Sequence, residues 1–411
     1  MDSCKSGFKK FFILWLGELI SSIGGGLTSF GLAVYVFNET GSAASMALVS
    51  LLAFLPTLIF SVPAGVLADR YDRRMLMMIG DGFSGVGVFY ILMCMFSGHA
   101  SLMQICIGVS ISSIFSSLLE PSYRATITDI LTKEEYSKAS GMVSVAGSAR
   151  YLVSPMLAGM LLIVSDIKLL LVIDICTFMI TVIMTGIVKR GVVTHRTIKQ
   201  ETFFDSFKEG WKAITAKRGI IVLITVSGIM TCFMGTFQIL AEPMVLDFTD
   251  STTLGIMETI CAFGMLFSSL ILGIKGIKSG YVKALSVSLA FAGIAMGMFG
   301  IKQNIYLMCV TGFLFFAMLP FANNCLDYLT RTNIPDEKQG RAWGLIGFLS
   351  QLGYVVAYGL SGILADGISV SMNISVGRGA AYVVIASGVL LCVTSIILSF
   401  MSSVRELEKE N

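Results

Sequence analysis

Twelve stretches of this chain stay apolar for about twenty residues each, and nothing else in the sequence constrains its fold as tightly. They run 11–37, 45–68, 75–97, 101–121, 139–164, 167–188, 219–245, 252–274, 284–301, 305–328, 342–365 and 379–401. A helix of about 20 residues crosses the roughly 30 Å of bilayer hydrocarbon. Backbone groups cannot stay unpaired in lipid, so each run must be a helix or part of a closed barrel. The runs are continuously apolar rather than alternating, which excludes a barrel. Composition agrees: 13% of the residues are charged, against roughly a quarter in a water-soluble chain. The first run is too long for the apolar region of a cleaved signal and is read as a span. Nine cysteines, with no Cys-x-x-Cys pair and mostly inside apolar runs, read as reduced thiols rather than a disulfide frame or metal site.

Lys and Arg set the expected orientation. If the N-terminus is inside, the outer loops hold only Lys168, Lys302 and Arg378, Arg150 lies within a span, and every other one of the 29 falls on the inner side. Both termini are therefore expected in the cytoplasm. The longest connection is the basic stretch Lys189–Arg218, which divides the chain into residues 1–188, an inner linker 189–218, and residues 219–411. Two six-helix bundles joined this way suggest a duplicated transporter body with its substrate site between the halves. In the linker, Phe203, Phe204, Phe207 and Trp211 at helical spacing suggest an interfacial amphipathic helix; a simple tether fits as well.

After the second span the chain reads Gly65-Val-Leu67-Ala-Asp69-Arg70-Tyr-Asp72-Arg73-Arg74. A carboxylate among three guanidinium groups can form forked ion pairs and cap a helix end, a latch for one conformational state. This loop resembles the signature of the major facilitator superfamily, Gly-x-Leu-x-Asp-Arg-x-Gly-Arg-Arg, in the same place between spans two and three. Asp72 stands where glycine is usual. The N-terminal half is most similar to the macrolide-efflux group of that superfamily: Thr40-Gly41-Ser42, Phe54-Leu55-Pro56, Pro121 closing span four, Ser154-Pro155 and Asp174 carry the likeness. The resemblance implies an all-α membrane protein of the major facilitator fold, in the cell membrane, that expels macrolides or other amphipathic drugs in exchange for protons. Two departures stand out. Many drug–proton antiporters carry an Arg in span four, where this chain has Ser110-Ile-Ser112-Ser113, and the second half offers only Gly273-Ile-Lys275-Gly-Ile-Lys278 in place of a second signature loop.

Ionisable residues inside a span are costly and are candidates for function by default. Glu18, Asp81, Arg150, Asp174 and Glu258 lie within spans one, three, five, six and eight; Glu120, Glu242 and Asp327 fall nearer span ends and read as wet. Arg150 is mid-span and needs an anionic partner, with Glu18 favoured and Asp174 the alternative. A carboxylate whose proton affinity changes between a wet and a dry state is a workable proton carrier. For Glu18, proton coupling stands beside direct substrate contact and a structural pair. Small residues four apart, Gly17, Ser21, Gly25 and Ser29 in span one and Gly353, Ala357, Ser361 and Ala365 in span eleven, read as close helix contacts. An amphipathic ligand suits aromatic and Met side chains with a few hydrogen-bonding groups, as in Phe233, Phe237 and Gln238 of span seven and Phe316, Asn323 and Asn324 of span ten. Lipid-facing rings and interhelical amide bonds explain the same residues.

No Gly-Lys dipeptide occurs, so no phosphate-cradling loop is expected. With two His, neither a His-ligated metal nor a His-based hydrolase is favoured. The expected partners are an amphipathic small molecule, protons and membrane lipid, with no nucleic acid, no cofactor and a monomeric chain. An importer or lipid translocator on the same fold is the alternative. A receptor or enzyme using the spans as scaffold would need a sizeable soluble domain, and the longest loop is about thirty residues.

Overall fold

The computed structural model describes residues 2–132, 135–189, 208, 210–212, 214–277, 279–335 and 339–409. Among them every regular element is helical. Twelve helices of the described residues are long and apolar enough to cross a membrane: Gly7–Thr40, Ala43–Arg70, Arg73–Phe96, Leu102–Ile130, Lys138–Val164, Ile167–Lys189, Arg218–Leu246, Ser251–Lys275, Tyr281–Ile301, Ile305–Asn333, Ala342–Met372 and Val376–Phe400. They are spans one to twelve below.

Spans four and five are each built of two helical segments. Span four turns at Ser117–Leu118 and resumes as Leu119–Ile130. Pro121 therefore does not close the span; it sits in the first turn of the second segment, where its missing N–H costs nothing. Span five breaks after Leu152 and restarts at Ser154, with Pro155 again in the first turn. In the linker, Phe203, Phe204 and Phe207 lie outside the described residues, while Trp211 is helical and exposed.

The chain divides into two compact units. Met1–Thr40, Leu48–Lys199 and Ser251–Ile256 form one, and Gly41–Ala47, Gln200–Asp250 and Met257–Asn411 the other. This division departs from a cut at the linker in two places. The first turn of span two belongs to the second unit, and the first turn of span eight to the first.

In the first unit, span one packs on spans five and six, and span three on spans four and six. Leu14, Met77, Tyr123 and Val188, one from each of spans one, three, four and six, form an apolar cluster. The start of span eight lies against span five, with Thr252 Oγ1 donating to the Gly159 carbonyl at 3.2 Å.

In the second unit, span seven packs on eleven and twelve, and span nine on ten and twelve. The stripe of span eleven is packed: Gly353 meets span seven at Gly228 and Thr231, and Ala365 meets span twelve at Gly379. The last helix, Ser402–Lys409, closes one end of this unit. Glu408 accepts from the backbone N–H of Tyr281 at 2.6 Å, and Asn333 Nδ2 donates to the Leu407 carbonyl at 3.0 Å.

The span-two segment in this unit is capped by a side chain of span eleven. Gly41, at φ +60°, makes the turn after span one. Asp366 of span eleven then accepts from Ser42 Oγ at 2.6 Å and from the N–H groups of Ala43 and Ala44 at 3.0 and 3.1 Å. A carboxylate on the orphan amides of a helix start is stabilising through hydrogen bonds and the helix dipole. Asp366→Ala is expected to cost about 1 kcal/mol. A thermal unfolding midpoint in detergent that matches the parent would count against that role.

Candidate functional site

The ionisable residues of the first unit converge. Asp81 and Asp174 are 2% and 1% exposed, and Glu18 is half-buried. Asp81 feels the charges of both Glu18 and Asp174, so carboxylates of spans one, three and six share one neighbourhood. Arg150 acts electrostatically on both Glu18 and Asp174. No direct ion pair joins Glu18 to Arg150 among the described residues, and Arg150 is exposed at the surface of this unit. The expected contact pair is thus a longer-range attraction. Arg150 lies in the last turn of the first segment of span five, on its exposed side.

Glycines let span one approach its neighbours. A Cβ on Gly24 would stand 2.9 Å from Asp174 Oδ1. One on Gly26 would collide with Ser154, whose hydroxyl donates to the Ile23 carbonyl at 3.0 Å. The Asp174 carboxylate is thereby pressed against bare backbone, with Thr28 and Thr177 beside it. Of the expected stripe, Gly17 faces span six, but an added Cβ at Gly25 would meet nothing within 4 Å and Ser29 is exposed. The packed positions are Gly17, Gly24 and Gly31, seven apart; Glu18, Ser22, Gly25 and Ser29 lie on a different, open, small and polar face.

Tyr123 completes the cluster, and no motif or spacing marks it in the sequence. It is 4% exposed, its hydroxyl makes no hydrogen bond among the described residues, and it is electrostatically coupled to Glu18. The serines standing where an Arg is usual serve as interhelical ties: Ser113 Oγ donates to the Ala53 carbonyl at 2.6 Å, and the Ser112 carbonyl accepts from Ser84 Oγ at 3.0 Å.

The signature loop is anchored inside the same unit. Gly65 is half-buried on span two, and Asp69 and Arg70 are exposed at its end. Arg73 meets Asp129 of span four at 2.6 Å and Asp69 at 3.8 Å, and Arg74, 1% exposed, reaches Asp129 at 3.5 Å. Arg73 also donates to the Ala68 and Ala125 carbonyls at 3.2 and 2.9 Å. Asp129 is the hub, and no motif marks it. Asp72 caps the third span by accepting from the Arg74 N–H at 3.0 Å, which accounts for a residue other than glycine there.

In the second unit, Glu242 of span seven is half-buried and feels the charge of Glu258 of span eight. The aromatic residues divide. Phe237 is 2% exposed, stacked on Phe315 at 4.5 Å and surrounded by Phe299 and Phe316; it builds core instead of lining a cavity. Phe233, Gln238 and Phe316 are half-buried, and Asn323 and Asn324 are exposed. Gln238 accepts from the Tyr358 hydroxyl at 3.4 Å.

The family model described as Major Facilitator Superfamily matches residues 14–249 and again 224–411. This chain belongs to the major facilitator superfamily. It is 24% identical over 404 residues to macrolide efflux protein A of Streptococcus pyogenes, covering 97% of each chain. It is 21% identical to the enterobactin exporter of Escherichia coli, covering 82% of this chain and 80% of that one. Its fold matches a bacterial homolog of the human lysosomal transporter Spinster, with a TM-score of 0.75 at 14% identity over 98% of both chains. The protein is a multi-pass transporter of the plasma membrane.

Proposed function

We propose that this protein exports amphipathic drugs such as macrolides, or related metabolites, by proton-coupled alternating access. The observation that carries the reading is the shared neighbourhood of Glu18, Asp81 and Asp174 inside membrane spans, with Arg150 acting on Glu18 and Asp174 from the exposed side of span five. Glu120 of span four also acts on Glu18, ahead of Arg150, so carboxylates outnumber cations around Glu18, and such groups within spans mark ion and proton pathways. Glu18 is the preferred carrier because the open face of span one presents it beside Ser22, Gly25 and Ser29. Phe233, Gln238 and Phe316, with Asn323 and Asn324, supply the mixed apolar and amide surface an amphipathic ligand needs. The Asp69–Arg74 loop with Asp129 serves as the conformational latch. Relatives that export macrolides and enterobactin support the outward direction.

A drug-sensitive host expressing the chain is expected to tolerate higher macrolide concentrations, and a protonophore should remove that protection. Protection that persists with the uncoupler would rule out proton drive. Accumulation of drug rather than its loss would favour the importer reading.

A further inference from the structure

A groove of about 330 Å³ runs along the first unit between spans three and six, outside the carboxylate cluster. Met75, Met78, Phe83 and Val86 form one wall, Gly82 opens its floor, and Lys189 stands at one end. An added Cβ at Gly82 would meet nothing within 4 Å, and Met75, Phe83 and Val86 are each about half exposed. From Met75 to Val86 the helix rises about 16 Å, close to half of the roughly 30 Å hydrocarbon thickness. The groove is therefore one leaflet deep.

Its end is marked by charge. Lys189 is the last residue of span six, half-buried, with its ammonium 3.6 Å from Met75 Sδ. No carboxylate pairs with it among the described residues. An apolar channel of leaflet length with a cation at the end where a headgroup would lie is complementary to a lipid carrying a negative phosphate.

We propose that this groove binds one anionic phospholipid, an acyl chain lying along Met75–Val86 and the headgroup phosphate held by Lys189. The thioether side chains can adapt to a flexible chain, and the ammonium supplies the preference for negative charge.

The test uses the full chain in vesicles, with Val86→Trp as a reporter at the far end of the groove. Quenching by dibrominated phosphatidylglycerol and dibrominated phosphatidylcholine is compared, after subtracting the signal of the three native tryptophans measured without the reporter. Phosphatidylglycerol is expected to bind about fivefold more tightly. Lys189→Gln should bring that ratio to about one while leaving phosphatidylcholine quenching unchanged. Equal binding of the two lipids by the parent means ordinary annular lipid and overturns the proposal, as does a Lys189→Gln chain that keeps the preference. Because these readings need no transport, they are independent of the exporter assignment.

Discussion

Glu18→Gln will reduce drug export to the level of cells lacking the protein, with the chain still folded and inserted. Glutamine keeps the size of the side chain and its reach to Ser22, the polar neighbour one turn on. It cannot gain or lose a proton, so only the carrier role is removed. Transport should become insensitive to an imposed pH gradient, while binding of a fluorescent drug to the purified protein persists. Glu18→Asp, one methylene shorter, should retain part of the activity. The rival outcome is informative: full activity in Glu18→Gln together with loss in Asp174→Asn would transfer the carrier role to span six. Loss of drug binding in Glu18→Gln would instead make Glu18 a substrate contact.

Asp129→Ala will lower the stability of the first unit. Two guanidinium groups converge on this carboxylate, and one of them, Arg74, is 1% exposed. Truncating the carboxylate removes contacts to two charged groups, at a cost of about 1.5–3 kcal/mol. Arg73 softens the loss through its carbonyl contacts, so the lower end of that range is expected. Thermal unfolding in detergent reads the variant, and an Asp129→Ala midpoint equal to the parent's would sink the hub assignment.

The spans are legible because lipid imposes a length and a composition that no tertiary detail overrides. Within spans, legibility falls with the distance between partners. Asp72 is read locally once the loop is known to precede a helix, whereas Asp129 meets Arg73 only through packing 56 positions later. The same limit hides Tyr123 and Asp366, polar residues near span ends with no motif around them. Phe237 and Phe233 are alike in type and four residues apart, yet one is sealed in an aromatic stack and the other is half-buried; helical phase against three neighbours decides that. An attraction between Glu18 and Arg150 can be read from their places along spans one and five, but the side of span five that Arg150 faces is set by packing and not by spacing.

The Asp366 clamp has a consequence for biosynthesis. Ser42 and Asp366 are 324 positions apart, so a ribosome adding roughly 5–20 residues per second needs roughly 16–65 s to deliver the second partner. Throughout that interval the amides at the start of span two must be satisfied by water or lipid headgroups. Nascent chains stalled before span eleven emerges should therefore leave this helix start open to protease or deuterium, and full-length chains should protect it.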